Sequence, residues 1–218
     1  LDKVNEVLSS SEQFVEKYQK PLLVTVLIII LVVAGFLSVR HFYFQPREVK
    51  AQAAMYKGEI YFAKDSFELA LKGNGADFVG FEAIADDYSS TKAGNLAAAY
   101  AGICYYNLGK DAEALAYLKK FDGDDAFLSP NIEAMIGNCY ANMDQYDDAI
   151  KAFEKAAKKA DNEMASPIFL QKAATVAEKM GNYKKALDFY QKIKDEYSQS
   201  MIGRDIDKYI ERAKAHVK

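Results

Sequence analysis

Residues 97–121, AAAYAGICYYNLGKDAEALAYLKKF, and residues 133–156, EAMIGNCYANMDQYDDAIKAFEKA, are two copies of one pattern. Gly102-x-x-Tyr105 returns as Gly137-x-x-Tyr140 35 residues later, and Ala114 returns as Ala149 at the same interval. Each copy reads as two amphipathic helices joined by a turn, with apolar residues at helical spacing and Gly109 or Asp144 where the first helix must stop. A glycine at the closest point lets the paired helices approach, and the tyrosine fills the groove beside it. One such pair cannot bury its apolar face alone, so neighbouring copies must stack.

Working outward, a third copy, LQKAATVAEKMGNYKKALDFYQKI, spans 170–193, with Ala174 and Ala177 in place of Gly and Tyr, Gly181 at the turn and Ala186 in the second helix. An earlier copy, AMYKGEIYFAKDSFELAL, spans 54–71 and keeps Gly58, Tyr61 and Ala70 before an irregular stretch from Gly73 to Gly80. Ser129-Pro130 and Ser166-Pro167 each read as a helix N-cap followed by a proline in the first turn. The tail places Ile202, Ile206, Tyr209, Ile210 and Ala213 on one face, as a helix capping the stack would. The interval and the small residue–tyrosine–turn–alanine–aromatic order resemble the tetratricopeptide-repeat (TPR) family over roughly residues 48–200, although the family's usual tryptophan is absent. The resemblance implies an all-α fold: a degenerate first unit with an insertion over 48–92, three units over 93–200 and a capping helix over 201–218.

Before the repeats lies PLLVTVLIIILVVAGFLSV, the nineteen uncharged residues Pro21–Val39 between Lys20 and Arg40. As a helix it would be about 28 Å long, close to the roughly 30 Å hydrocarbon core of a bilayer. Every face is apolar, unlike a buried soluble helix, and a TPR array has no central slot to receive it. A cleaved signal peptide would have a shorter apolar core behind a short basic stretch, whereas twenty mixed residues with Asp2, Glu6, Glu12 and Glu16 come first. Phe42, Tyr43 and Phe44 follow as interface anchors, so residues 21–44 read as a single transmembrane helix with the lipid bilayer as its partner. Residues 1–20 place Val4, Val7, Leu8, Phe14, Val15 and Tyr18 at near-helical spacing, either an amphipathic segment on a membrane or partner or an extension of the anchor. Lys3, Lys17 and Lys20 before the span against Arg40, Arg47, Lys50 and Lys57 after it lean toward a cytoplasmic repeat domain without deciding the topology.

Tests for chemistry come back empty. A net charge of −3 offers no footprint for nucleic acid. His41 and His216 stand at opposite ends of the chain, which leaves little from which to build a metal site or a catalytic triad. Gly73, Gly75 and Gly80 do not form a dinucleotide fingerprint, and Asp122, Asp124 and Asp125 lack the spacing of a calcium loop and read as a solvated turn. Cys104 and Cys139 occupy equivalent points of consecutive repeats, about 8–10 Å apart if the helices stack, too far for a disulfide; they are expected to be buried free thiols. No enzyme activity, cofactor or metal is expected. The family binds partners on its concave face, lined by first helices; aligning the copies puts Ile103, Tyr106, Asn107, Asn138, Asn142, Gln171, Thr175 and Lys179 there. The family's basic clamp for C-terminal carboxylates is mostly replaced, by Leu96, Ala99, Ala134 and Ile168, with Asn138 the main survivor.

The order of parts, together with SSTKAGNLA at 89–97, resembles a narrower group: bacterial single-span TPR proteins that are ancillary subunits of the Sec translocon (the YfgM-like family). That resemblance implies an inner-membrane protein with periplasmic repeats. Its partners would be Sec translocon subunits, a membrane-anchored periplasmic chaperone or prolyl isomerase, and unfolded secreted clients. Ala34 and Gly35 would offer a small-residue spot for another membrane helix. A scaffold for another envelope assembly, in cell division or outer-membrane biogenesis, and a cytoplasm-facing regulatory adaptor are the alternatives.

Overall fold

The computed structural model describes the backbone of residues 2–217 and the side chains of residues 18–217. Every regular element among the described residues is helical, and the chain divides into two units, residues 1–49 and residues 50–218.

In the first unit, α1 (Asp2–Val39) runs through Pro21 without a break, so the polar head and the apolar stretch form one helix. Of the residues expected to make the head amphipathic, those before Tyr18 lie outside the described side chains. Helix continues from Tyr18 to Phe62, and its most apolar window of 18 residues has a mean hydropathy of 3.1 with no part of it buried. This one helix is long and apolar enough to cross a membrane. The hydroxyls of Thr25 and Ser38 donate to the carbonyls of Pro21 (2.9 Å) and Ala34 (2.8 Å) within the helix, which keeps them satisfied in an apolar setting. Just past the apolar stretch the helix widens into one π-turn, Arg40–Phe44, and then continues as α2 (Gln45–Phe62). His41 and Phe42 (4.9 Å), then Tyr43 and Phe44 (5.2 Å), meet edge to face there, and the Arg47 guanidinium lies 5.4 Å from the Tyr43 ring. The sequence carries the aromatic cluster but no sign of the π-turn.

The second unit is a stack of helix pairs. The rest of α2 and α3 (Phe67–Lys72) open it, followed by α4 (Phe81–Asp87). The regular pairs are α5 (Lys92–Asn107) with α6 (Asp111–Leu118), α7 (Leu128–Asn142) with α8 (Tyr146–Ala160), and α9 (Ser166–Lys179) with α10 (Tyr183–Glu196). Helix α11 (Asp207–His216) packs on α10. Consecutive pairs touch through α6 with α7 and α8 with α9. The turn inside each pair holds one residue in the left-handed region: Asp65 (φ 55°), Gly109 (72°), Asp144 (59°) and Gly181 (73°). Each turn closes with the same helix-ending bond: the N–H of Ser66, Lys110, Gln145 and Asn182 donates to the carbonyl of Tyr61, Tyr105, Tyr140 and Ala177 at 2.9–3.0 Å. The turns follow one another at 44, 35 and 37 residues, so the first repeat is the stretched one.

Glycines sit where the helices cross. A Cβ on Gly102 would lie 2.6 Å from the Leu118 side chain, and one on Gly137 would lie 2.8 Å from the Phe153 ring. The core falls into two clusters, one around Phe81, Ile84, Cys104 and Leu118, the other around Ile150, Phe153, Tyr190 and Ile193; Tyr140 packs against both. Cys104 and Cys139 are buried free thiols, and burial pushes both up to about 12.

One expectation needs correction. Ser129 and Ser166 do not cap their helices. Asp125 accepts from the backbone N–H groups of Phe127 (3.0 Å), Leu128 and Ser129, and Asn162 accepts from those of Met164 (3.0 Å) and Ala165 (2.8 Å). Asp125 takes the capping role on α7, Asn162 orders the turn that leads into α9, and each serine lies buried inside the first turn of its helix, Ser166 donating to the Ala157 carbonyl (2.9 Å). Asp125 is therefore a capping residue rather than part of a merely solvated turn. The tail forms the expected capping helix on α10. Tyr197–Gly203, YSQSMIG, repeats the geometry of Tyr88–Gly94, YSSTKAG: a Cβ on Gly94 or Gly203 would lie 2.0 Å from the carbonyl oxygen of Tyr88 or Tyr197 respectively. After a short 3₁₀ turn at Gly203–Asp205, Ile206 at the start of α11 and Ile210 and Ala213 within it are buried.

Candidate functional site

The first helices α5, α7 and α9 carry the residues that the repeat alignment assigns to a binding face, and the structure brings only some of them together. Asn138 on α7 and Gln171 and Thr175 on α9 line one groove of about 480 Å³, with Ala141, Phe153, Ile168, Lys172, Val176 and Tyr209. Lys172 Nζ donates to Asn138 Oδ1 (3.0 Å) and lies 5.6 Å from the Phe153 ring. Burial holds the Lys172 ammonium below the usual lysine pKa. The Thr175 hydroxyl donates back to the Gln171 carbonyl (3.0 Å), so it is satisfied within its own helix.

Five other candidates are engaged elsewhere. Asn107 Nδ2 donates to the Ile103 carbonyl (2.8 Å), one turn back on α5, and Ile103 is half-buried against the first core cluster. Tyr106 packs on the same cluster; burial, then the nearby Cys139 and Asp111, push its phenol up. Asn142 Nδ2 donates to Asp111 Oδ1 (3.0 Å), from the end of α7 to the start of α6 in the preceding pair. Lys179, 37 residues later and equally at the end of its helix, lies 3.6 Å from Asp144 Oδ1 and 4.8 Å from the Tyr146 ring, at the turn and second helix of its own preceding pair. These two side chains link consecutive repeats. In the first unit, Ala34 and Gly35 lie on the exposed surface of α1, and nothing stands within 4 Å of where a Gly35 Cβ would be.

Six of the nine groove residues lie outside the aligned candidates, and Lys172 is the charged one among them. Helical periodicity places a Cβ, and the Lys172 Cβ falls next to that of Gln171 rather than in line with it. Its four-carbon stem carries the ammonium into the groove along apolar neighbours. Two further hollows differ in chemistry. One of about 470 Å³ between α8 and α10 carries Glu154, Lys158, Asp161, Lys192 and Glu196, and one of about 340 Å³ beside α2 carries Lys57, Lys64 and Asp77. No group of three His, Cys, Asp or Glu that could hold a metal ion occurs among the described residues.

Comparison with protein families agrees with the repeat geometry. One tetratricopeptide-repeat model matches residues 134–163, and a second matches residues 100–122 and 170–200. Those stretches fall on the three regular helix pairs. The chain carries tetratricopeptide repeats, an architecture of scaffolds that mediate protein–protein contacts, and no enzyme family matches. No curated protein matches the chain.

Proposed function

We propose that the chain is a membrane-anchored, non-catalytic scaffold that holds a segment of a partner protein in the α7–α9 groove. The observation that carries this reading is the groove itself. It is built on tetratricopeptide repeats, is walled by Ile168, Val176 and Tyr209, and includes the Gln171 and Asn138 side-chain amides and the Lys172 ammonium in its lining. Mixed polar and aromatic surfaces of this kind suit transient contacts. Tethering by α1 would offset weak binding by raising the local concentration.

The finer reading is an ancillary subunit of the Sec translocon in the bacterial inner membrane, with periplasmic repeats. It would link the translocon to a membrane-anchored chaperone or prolyl isomerase and to unfolded secreted clients. The order of parts and the stretch SSTKAGNLA support it. Ala34 and Gly35, with open space around Gly35, would let a translocon helix approach closely. Exchanging residues 21–39 for an unrelated apolar helix is then expected to reduce co-purification with the translocon. Substitutions in the groove are expected to weaken chaperone or client crosslinks only. Capture of the translocon by residues 50–218 alone, as fully as by the whole chain, would overturn this division.

One observation favours a second reading, a cytoplasm-facing adaptor: Arg40, Arg47, Lys50 and Lys57 after the span outnumber Lys3, Lys17 and Lys20 before it. Protease treatment of intact and opened cells decides between them, since periplasmic repeats are cut once the outer envelope is opened and cytoplasmic repeats are not.

A further inference from the structure

Among the nine residues that line the α7–α9 groove there is one cation, Lys172, and no acid. That combination is unusual for this chain. The two hollows named above carry carboxylates, Glu154, Asp161 and Glu196 in one and Asp77 in the other. The neighbouring cations also have acidic partners: Lys155 and Lys159 share Glu133 (2.6 and 3.0 Å), and Arg212 bridges to Glu178 (2.7 Å). Among the described residues Lys172 has no carboxylate within 4.0 Å, and its polar partner is the neutral side-chain oxygen of Asn138 at 3.0 Å. A half-buried ammonium has lost part of its hydration, and a neutral amide replaces only part of that. The lowered proton affinity of the amine is the same cost seen in another quantity. With Asn138 accepting through its oxygen, its NH₂ remains a donor, and the Gln171 amide adds another.

We propose that this groove recognises a side-chain carboxylate, an Asp or Glu within an extended partner segment, with Lys172 as its counter-ion and an adjacent apolar residue seated against Ile168 and Val176. This rests on the reading of the groove as the partner-binding face. A side chain fits better than a chain terminus for a structural reason. Termini are captured by nests of free backbone N–H groups, whereas the polar residues of this groove, Asn138, Gln171, Lys172 and Thr175, all lie beyond the first turns of α7 and α9, where backbone N–H groups are spent within the helix. The ammonium and the two side-chain amides offer donors to one carboxylate and to a flanking backbone carbonyl, and Ile168, 42% exposed, supplies apolar surface beside them.

The test uses the full chain in detergent micelles and three fluorescein-labelled decapeptides of Gly and Ser with both ends capped, bearing Leu-Glu-Leu, Leu-Gln-Leu or Leu-Lys-Leu at the centre. Anisotropy titration is expected to show the Glu peptide bound about tenfold or more tightly than the Gln peptide, the scale of one charge-assisted hydrogen bond. The Lys peptide should be weaker still. Lys172→Gln should erase the Glu–Gln difference, and Lys172→Arg should keep it. Lysine acylation of the unmodified chain, read by mass spectrometry, gives an answer independent of any variant: the Glu peptide should shield Lys172 and leave Lys184 unchanged. Equal binding of Glu and Gln peptides, or no shielding of Lys172, overturns the proposal. So does a Gln peptide that gains full affinity once its C-terminal cap is removed, which would assign the groove to chain termini. If no peptide binds while crosslinks in membranes still map partners to the repeats, the carboxylate assignment falls and the scaffold reading stands.

Discussion

The stretched first repeat and the regular repeats behind it are held together by different means. From Lys92 onward the pairs close by packing: Gly102 on Leu118, Gly137 on Phe153, and the fully buried Ala174 at the equivalent crossing of the third pair. Ahead of Lys92, packing of Phe78 and Phe81 on Gly58 is joined by close backbone contacts and polar links. In the loop between α3 and α4, a Cβ on Gly73 would lie 2.2 Å from the Phe78 carbonyl oxygen and one on Gly80 would lie 2.2 Å from that of Leu71, while Asn74 Oδ1 accepts from three successive N–H groups at 3.1 Å. A polar network then ties this region to the first regular pair. Lys72 pairs with Glu82, Tyr105 donates to Glu82 (2.9 Å), Tyr117 donates to Asp86 (3.1 Å), and Lys120 pairs with Asp86 (2.7 Å), with the two tyrosine rings stacked 5.5 Å apart. Packing responds to volume, whereas a polar network responds to pH. The two regions should therefore fail under different stresses.

The largest expected effect is at Gly80, whose φ of 91° and ψ of 153° belong almost only to glycine. Gly80→Val adds a branched side chain against backbone that cannot move, and roughly 3 kcal/mol or more of destabilisation follows. Hydrogen exchange should show lost protection confined to residues 50–91. Spread into α7–α10 would contradict the distinction. Gly137→Leu strikes the other mode, at roughly 1–3 kcal/mol from overpacking against Phe153, and should lower the melting temperature of the regular repeats. An unchanged melting temperature would refute the crossing. Gly109→Ala faces open space and pays only for its positive φ, about 1–2 kcal/mol.

Acid should separate the regions without any mutation. Burial opposes ionisation of Glu82, yet hydrogen bonds from Lys72 and Tyr105 hold its carboxyl below the usual value; Lys120, then Tyr117, lower that of Asp86 against burial. Both folded pKa values lie below the unfolded ones, so the stability they contribute is present above about pH 4.5 and is lost as pH falls through the lower folded values. Exchange protection of residues 67–91 should fade first on acidification, with α9 and α10 following at lower pH. Simultaneous loss would remove the polar network as the distinguishing feature. The smallest effect is at Cys104 and Cys139, whose thiols, raised to about 12 by burial, should resist alkylation in the native protein at pH 8 and form no mutual disulfide.

The same contrast explains what the sequence made legible. Repetition exposed the regular pairs, because Gly102, Gly137, Gly109 and Gly181 answer to steric needs that recur at each pair. The loop from Gly73 to Gly80 read as irregular, since its order comes from close backbone contacts that occur once. The serines before Pro130 and Pro167 looked like caps because Ser and Asp or Asn compete for that role, and nothing local shows which oxygen reaches the free N–H groups. In the groove, periodicity placed Asn138, Gln171 and Thr175 together. It could not show that Asn142 and Lys179 reach back to the preceding pair, or that the Lys172 ammonium, one position off the aligned face, ends up in the groove.

The claim that partners are held in the α7–α9 groove is open to one direct measurement. A photo-crosslinking residue is placed at Gln171 in the groove, or at Lys192 in the hollow between α8 and α10, in the full chain in native membranes, and partner adducts are identified by mass spectrometry. The account predicts abundant adducts from position 171, few from position 192, and loss of the former in Lys172→Gln. Equal adducts from both positions, or adducts from position 192 alone, would contradict it.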